Sequence, residues 1–350
     1  MRLAARGRHL PTMGAITMMK VLHIGEAGNM QKYCGGDSYL QQLQIVDMPC
    51  GLPDDDYVEA AGDAQVVVID AIGEMRGSLM ERMPSLKMVH SEGVAFNKID
   101  VEAASKLGIC VCNSQGMNAS AVAEQAVLLM LGLLREVVPN HEAVRDGRQI
   151  ETKVAYIHEG SLRELADCTV GLLGFGDIAR KTAALLRAFG VQAIYYHKRH
   201  RLSVSEEAAL GVEYRPLEDL LAASDIVSLH VPVTPATTGM ADAEFFSHMK
   251  DGAFFVNTAR GELVDDAALA AALESGKLAG AGLDTLSHEP VQASHMLLNL
   301  PPEVEGKLLF SPHIGGVTAS SFRRSFVMIM ENIKAVDRGD HPARTVNNVE

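Results

Sequence analysis

Basic residues and cysteines are both scarce in this sequence. Lys and Arg total 31 against 44 Asp and Glu, so the formal net charge is −13. Because nucleic acids and anionic membranes select for clustered positive charge, this deficit argues against either as a partner. The cysteines number five, an odd count, and form no Cys-x-x-Cys motif, which predicts a reduced, cytoplasmic protein. They are Cys34, Cys50, Cys110, Cys112 and Cys168.

The amino terminus lacks the features of a secretory signal. Residues 1–17 are basic, but they contain no continuous apolar core and no credible cleavage site. We interpret them as a disordered extension, or as sequence upstream of an alternative start at Met18 or Met19.

The rest of the chain alternates short apolar runs with amphipathic stretches, which predicts an α/β protein. With 350 residues, 47% of them hydrophobic, the chain is long enough for two domains with a cleft between them. The spacing of the apolar runs is typical of doubly wound parallel sheets. Strands are predicted at residues 21–24, 66–69, 87–90 and 109–112 in a first unit, and at 169–173, 193–196, 225–230, 253–256, 279–283 and 308–310 in a second.

Two long helices are also predicted. Residues 122–138 form a helical pattern that is apolar on most of its circumference, with Asn118 and Ser120 as candidate caps. Such a helix is expected to be buried between domains or subunits. The other helix covers residues 319–336 and is long enough to cross back to the first unit.

A glycine turn follows the strand at residues 169–173. Gly174 allows a tight turn, Gly176 leaves room for the backbone to approach a pyrophosphate, and Ala179 lets the next helix pack closely. The pyrophosphate would lie at the positive end of that helix. The pattern therefore predicts a dinucleotide-binding turn, with a plain strand-turn-helix as the alternative.

Three further segments fall at the carboxyl ends of predicted strands, where open α/β sheets bind ligands. They supply a guanidinium from Arg260, carboxylates from Asp284 and Glu289, and an imidazole from His313. Arg is a planar bidentate donor for carboxylate oxygens, and His can deliver a proton near neutral pH. This set suits the reduction of a 2-keto acid, and no metal site is predicted.

These segments, in this order, resemble the D-isomer-specific 2-hydroxyacid dehydrogenase family. The resemblance runs from about Lys20 onward and includes residues 93–100, similar to the family's substrate loop, and 118–124, similar to the start of its interdomain helix. It implies a flavodoxin-like substrate domain at 18–117 and 319–350 and an NAD(P)-binding Rossmann domain at 118–318. It also implies a homodimer that interconverts a 2-keto acid and a D-2-hydroxy acid.

The resemblance implies a role for individual residues. Arg260 would hold the substrate carboxylate and polarise the carbonyl, His313 would protonate the carbonyl oxygen, and Glu289 would pair with His313. The backbone amides of Val94 and Ala95 would bind the other side of the substrate carboxylate. Asp284 would hold the nicotinamide carboxamide, and Thr234 would lie near the adenosine half. The full set of expected cofactor-binding residues is Gly174, Phe175, Gly176, Asp177, Ile178, His197, Lys198, Arg199, Val231, Pro232, Thr237, Thr258, Ala259, Asp284 and Gly315.

The sequence departs from the family in several places. The acidic residue that usually bonds the ribose 2′-hydroxyl is replaced by His197, Lys198 and Arg199, which favours NADP over NAD. Ala95 stands where the family commonly has Gly, and Asn97 where it commonly has Asp, so a slightly narrower pocket is expected.

Other departures bear on the substrate. Ser91 and Glu92 occupy the region where members acting on phosphorylated serine precursors carry Arg, which disfavours such substrates. Related formate dehydrogenases carry Gln in place of Glu289, which disfavours formate. Residues 301–306 resemble an inserted loop.

Three alternatives stay open at this level. His288, next to Glu289, is a rival to His313 as the proton donor. A cofactor-sensing protein such as the corepressors that share this fold would carry similar motifs. A dehydrogenase of an oxyanion such as phosphite could use the same Arg and His. The particular 2-keto acid is left open, with glyoxylate, hydroxypyruvate, pyruvate and bulkier acids all compatible.

Overall fold

The structure is a computed structural model that describes residues 18–347 and Val349. It divides into two compact units. The first contains the chain up to Met117 together with the stretch from Phe322 onward, and the second is Asn118–Ser321. The predicted extension at residues 1–17 lies outside the described residues.

The first unit is built on a five-stranded parallel sheet in the order β2-β1-β3-β4-β5. This order is that of flavodoxin-like folds, with a switch point between β1 and β3. The strands are β1 Met19–Ile24, β2 Leu43–Met48, β3 Val66–Ile69, β4 Met88–Ser91 and β5 Cys110–Cys112. The short helices between them are α1 Asn29–Cys34, α2 Asp54–Ala61, α3 Gly77–Met80 and α4 Val101–Lys106.

The second unit contains a seven-stranded parallel sheet in which β6 lies between β7 and β9, as in Rossmann folds. Its strands are β6 Thr169–Leu173, β7 Ala193–His197, β8 Glu213–Tyr214, β9 Ile226–Leu229, β10 Ala253–Asn257, β11 Leu278–Leu283 and β12 Leu308–Phe310. Its helices are α5 Ala119–Leu134, α6 Val137–Arg145, α7 Gln149–Glu159, α8 Asp177–Ala188, α9 Val204–Leu210, α10 Leu217–Ala223, α11 Ala243–His248, α12 Asp266–Glu274 and α13 Pro302–Glu305. The final helix, α14, is Ala319–Arg338.

Apolar patterning explains both cores. All four residues of β3 are buried, because a parallel strand covered on both faces needs no polar alternation. In α14, Phe326, Ile329, Met330 and Ile333 follow helical spacing and pack against the first sheet. The α/β class and the two parallel sheets are confirmed.

The predicted helix at residues 122–138 is wrong at both ends. α5 begins at Ala119, and Asn118 occupies the cap position without a side-chain capping bond. Helix α5 ends at Leu134, Glu136 adopts a left-handed backbone conformation with φ 46°, and α6 begins at Val137. Pro139 lies in the first turn of α6, where a backbone N–H would have no acceptor within the helix, so proline costs no hydrogen bond there. The buried face of α5 packs inside the second unit, against α8, β10 and β11.

Two strands were missed by the sequence reading. β2 lies at the edge of its sheet and is only half-buried, with Gln44 and Asp47 interrupting its apolar residues. β8 is only two residues long. Among the described residues, no helix is both long enough and apolar enough to cross a bilayer.

Candidate active site

The glycine turn lies at the end of β6, next to the switch point between β6 and β9. Gly174 has φ 92°, and a Cβ there would lie 2.4 Å from the His230 carbonyl oxygen, so no other residue fits without movement. Gly176 precedes α8, and a Cβ on it would meet no atom within 4 Å. Its backbone therefore faces open space at the positive end of a helix, which suits a phosphate group.

The neighbours of these glycines contribute differently. The Phe175 side chain is buried in the core, 4.6 Å from the Tyr196 ring between centroids, so only its backbone is available to a ligand. Asp177 is exposed and Ile178 is half-buried in the first turn of α8. Ala179 is fully buried, as close packing of this helix requires.

The basic turn after β7 contains both engaged and available cations. His197 Nδ1 lies 3.1 Å from the Arg215 carbonyl oxygen, which accepts a hydrogen bond when Nδ1 is protonated, and the ring stacks on Tyr214. Arg201 donates two hydrogen bonds of 2.8 Å to the Glu207 carboxylate. Lys198 is half-buried and Arg199 is exposed, and neither has an ion-pair partner among the described residues. The charge available to a ligand here is therefore that of Lys198 and Arg199.

A threonine turn follows β9. The Thr237 hydroxyl donates to the Pro232 carbonyl oxygen at 2.7 Å and accepts from the Thr234 amide at 2.8 Å. Val231 is half-buried beside this turn. Thr237 thus shapes the turn through its own bonds, and Pro232 forms an exposed part of its surface.

The loop after β10 fixes Arg260. The Asn257 amide donates to the Arg260 carbonyl oxygen at 2.8 Å and its oxygen accepts from the Ala259 amide at 2.9 Å. A Cβ on Gly261 would lie 2.0 Å from the Leu286 carbonyl carbon, so this position needs glycine. Arg260 itself is exposed, with Nη1 donating to the Ala259 carbonyl oxygen at 2.7 Å. The loop therefore has a fixed backbone and an accessible guanidinium.

Asp284 is buried and organises the loop that carries the histidine. Its Oδ1 accepts from the Ser311 hydroxyl at 2.5 Å and from the Ile314 amide at 3.1 Å. Its Oδ2 accepts from the Gly315 amide at 2.8 Å, and its backbone oxygen accepts from the His313 amide at 2.8 Å. The carboxylate expected to hold a carboxamide thus also holds residues 311–315 in place.

His313 and Glu289 form a direct pair. His313 Nδ1 lies 2.7 Å from Glu289 Oε2, with the two side chains 43% and 37% exposed. His313 Nε2 has no hydrogen-bond partner in the described part of the chain. The residue has φ 53°, an uncommon backbone state for a non-glycine residue that is often found at functional sites. The rival His288 is exposed, and Glu289 makes its histidine contact with His313.

The loop after β4 in the first unit is held through its carbonyl oxygens. Ser114 N–H donates to the Gly93 oxygen at 2.9 Å, Asn113 to the Val94 oxygen at 2.8 Å, and the Ser91 hydroxyl to the Ala95 oxygen at 2.7 Å. No described residue accepts from the amides of Val94 and Ala95. Both N–H groups are therefore available to an anion.

Several supporting residues were missed by the sequence reading. Asn257 and Ser311 fix the loops of Arg260 and His313, while Asn113 and Ser114 fix the substrate loop. Asn257 and Ser311 lie three and two residues before Arg260 and His313, so their position in the sequence was an available signal. The described residues contain no cluster of three or more His, Cys, Asp or Glu side chains suited to a metal ion.

Comparison with known proteins identifies the family. Residues 127–315 match the family described as D-isomer specific 2-hydroxyacid dehydrogenase, NAD binding domain. A glyoxylate reductase of Korarchaeum cryptofilum (strain OPF8) is 35% identical over 291 residues, which cover 83% of this chain and 85% of the relative. The chain belongs to the D-isomer-specific 2-hydroxyacid dehydrogenase family. As a member, it is an NAD(P)-dependent oxidoreductase that interconverts keto acids and hydroxy acids.

Two other members are similar to this dehydrogenase. A hydroxypyruvate reductase of Thermotoga maritima is 34% identical over 284 residues, covering 81% of this chain and 88% of the relative. The crystal structure of apo D-mandelate dehydrogenase from Rhodotorula graminis superposes with a TM-score of 0.81 at 27% identity, covering 95% of this chain and 99% of that one. The expected family and fold are thereby confirmed.

Proposed function

We propose that this dehydrogenase reduces a small 2-keto acid, of the glyoxylate or hydroxypyruvate type, to the corresponding 2-hydroxy acid, which has the D configuration where the hydroxyl-bearing carbon is a stereocentre. The observation that carries the proposal is the 2.7 Å bond between Glu289 and His313, with His313 Nε2 unpartnered among the described residues. The relatives named glyoxylate reductase and hydroxypyruvate reductase support the size of the substrate.

Each residue has a role that its surroundings support. His313 donates a proton from Nε2 to the carbonyl oxygen of the keto acid, and Glu289 orients the ring through Nδ1. Arg260 binds the substrate carboxylate, because its guanidinium is exposed on a loop fixed by Asn257. The backbone amides of Val94 and Ala95 also bind the substrate carboxylate, through two neutral N–H donors.

The residues at the glycine turn fit a nicotinamide dinucleotide, which supplies the hydride when bound. Gly174 to Ile178 would hold the pyrophosphate through backbone amides, since a Cβ on Gly176 would enter open space. The hydroxyls of Thr258 and Thr285 are buried and have no hydrogen-bond partner among the described residues, which marks a place where a polar ligand group would be accommodated. The other proposed contacts are Val231, Pro232, Thr237, Ala259, Asp284 and Gly315.

We also propose a preference for NADP. Lys198 and Arg199 are the cations of the basic turn left without an ion pair by the described residues, so they are available to a 2′-phosphate. The variant Arg199→Gln should lose NADPH efficiency and keep NADH efficiency, whereas Arg148→Gln, an exposed arginine on another loop, should change neither. A wild-type enzyme that prefers NADH would refute the preference.

A homodimer is a further part of the proposal. Helices α5 to α7 expose large apolar side chains, including Leu128 at 58%, Ile150 at 67% and Ile157 at 69%. Clustered apolar exposure of this kind is typical of a protein interface. A monomeric mass by light scattering would refute it. We also propose a cytoplasmic location, because the cysteines are odd in number and form no Cys-x-x-Cys motif.

Steady-state kinetics tests the function directly. Purified protein is assayed for NADPH and NADH oxidation with glyoxylate, hydroxypyruvate, pyruvate and bulkier 2-keto acids, together with Arg260→Gln. We expect turnover of small keto acids, with kcat/KM reduced about 100-fold or more in Arg260→Gln through loss of charged hydrogen bonds. Arg148→Gln is the matched control and should behave as wild type. Preference for a bulky keto acid would refute the substrate assignment.

A further inference from the structure

A buried histidine lies between two carboxylates at the carboxyl end of the first sheet. His23, in β1, is fully buried. Its Nδ1 lies 2.5 Å from Asp47 Oδ1 and its Nε2 lies 2.6 Å from Glu92 Oε1. The Glu92 side chain is 3% exposed and that of Asp47 24% exposed. We refer to these three side chains as the His23 cluster.

The hydrogen bonds of the His23 cluster require a proton. An ionised carboxylate can only accept, and a neutral imidazole has a single N–H. Both bonds are satisfied together only when the ring is an imidazolium or when one carboxyl group is protonated. Without that proton, a ring nitrogen lone pair faces a carboxylate oxygen, and the buried pair repels.

The surroundings of His23 offer no competing cation at contact distance in the described structure. Asp47 comes from β2 and Glu92 follows β4, while α14 presents the Phe326 ring edge-on at 6.5 Å. The Cys50 thiol is also within reach of the Glu92 charge: burial raises its pKa, Asp70 and Glu92 raise it further, and Lys98 lowers it. Burial alone would lower the pKa of His23, but the hydrogen bonds and charges of Glu92 and Asp47 outweigh it and raise the pKa.

Glu92 connects this cluster to the substrate loop. Its amide donates to the Ile69 carbonyl oxygen at 2.8 Å, and its carbonyl oxygen accepts from the Ser325 hydroxyl. The next residue is Gly93. A Cβ added to it would lie 2.7 Å from the Ala71 Cβ, so the backbone is tightly packed there. The available amides of Val94 and Ala95 follow immediately. Glu92 is thus two residues from the Val94 amide and three from the Ala95 amide, along a backbone that is tightly packed.

We propose that Glu92 and His23 are positioning residues, which hold the Val94 and Ala95 amides ready for an anionic substrate only while the His23 cluster retains its proton. The inference rests on the proposed function, since it assumes that these amides bind the keto acid carboxylate. Loss of the proton adds one negative charge beside the loop and leaves one of the two ring bonds, to Asp47 or to Glu92, without its N–H. Both effects weaken binding of the substrate anion, whereas proton donation by His313 is unaffected.

The pH dependence of KM tests this positioning role. For the wild type we expect the KM of the keto acid to rise about tenfold as the cluster loses its proton, with kcat changed by less than about twofold. In Glu92→Gln the side-chain amide can donate to a neutral ring or accept from a charged one, so the rise in KM should disappear. Glu102→Gln, which alters an exposed glutamate of the same unit, should keep the wild-type profile. The same KM profile in the wild type and Glu92→Gln would overturn the proposal.

Nuclear magnetic resonance gives a readout that does not depend on activity. In protein labelled with 15N-histidine, the His23 ring, assigned by its loss in His23→Gln, should be doubly protonated on the acid side of the change in KM. The amide resonances of Val94 and Ala95 should shift with the same midpoint as this ring. A ring that does not titrate over the pH range in which KM changes, or amides that do not follow its titration, would overturn the proposal. Coupled titration without turnover of any keto acid would support the cluster and refute the proposed function alone.

Discussion

The two units use the same pair of side chains in opposite surroundings. In the second unit, His313 and Glu289 lie 2.7 Å apart with side chains 43% and 37% exposed. In the first, His23 and Glu92 lie 2.6 Å apart with side chains 0% and 3% exposed. An exposed imidazole can exchange its proton with a ligand, whereas the two carboxylates outweigh burial and raise the pKa of His23, so that it holds its proton to higher pH. We infer that burial decides whether a His–Glu pair performs acid-base chemistry or supports structure.

Removal of the exposed histidine should have the largest effect on catalysis and almost none on folding. Asn tolerates the left-handed backbone that His313 adopts with φ 53°, so His313→Asn tests the ring without disturbing the loop. We expect kcat to fall about 10²- to 10⁴-fold, the range for a general acid.

The free energy of unfolding of His313→Asn should lie within about 0.5 kcal/mol of the wild-type value, as expected for an exposed site. Stopped-flow or steady-state NADPH oxidation measures kcat. Urea unfolding followed by circular dichroism measures the free energy of unfolding. Retention of more than about a tenth of the wild-type kcat would contradict the assignment of His313 as the proton donor.

This contrast also shows what a sequence can and cannot reveal. The motif around Arg260 and the Ser-Pro-His segment at 311–313 are local, so their residues could be singled out, and the structure then places His313 beside Glu289. The His23 cluster joins β1, β2 and the end of β4, over separations of 24 and 69 residues. No local pattern connects these positions, since only strand order and register bring them together.

The same physical limit applies to the fold. Strands such as β3, buried on both faces, appear in the sequence as continuous apolar runs and were predicted with the correct bounds. The edge strand β2, with Asp47 turned toward His23, has no such run and was missed. The break between α5 and α6 depends on Glu136 adopting a left-handed conformation, which the apolar periodicity does not encode.

Removal of the buried histidine should instead have its main effect on folding, and that effect should depend on pH. In His23→Leu, two carboxylates lose their buried partner, and we expect a loss of about 3 kcal/mol in unfolding free energy. Because the folded-state pKa of His23 is raised, the stability that it contributes is fully present below about pH 6.5, the ordinary pKa of histidine. That contribution is lost as the pH rises through the raised value.

The measurement is urea unfolding by circular dichroism at a series of pH values. The difference between the wild type and His23→Leu should be largest in acid and should shrink in alkali. His158→Leu, which alters an exposed residue at the end of α7, is the control and should show no such trend. A difference that grows as the pH rises would show that the ring is held neutral.

Replacement of the exposed glutamate should have the smallest effect of the three. Glu289→Gln keeps an oxygen that can accept from His313 Nδ1 but removes a charge that is already screened by solvent, because the Glu289 side chain is 37% exposed. We expect kcat to fall only about three- to tenfold, with the KM for the keto acid almost unchanged. Glu92→Gln provides the reciprocal case, with kcat retained and the pH dependence of KM removed. If Glu289→Gln instead lost as much activity as His313→Asn, the carboxylate charge itself would be essential, and solvent exposure would no longer explain why the two pairs differ.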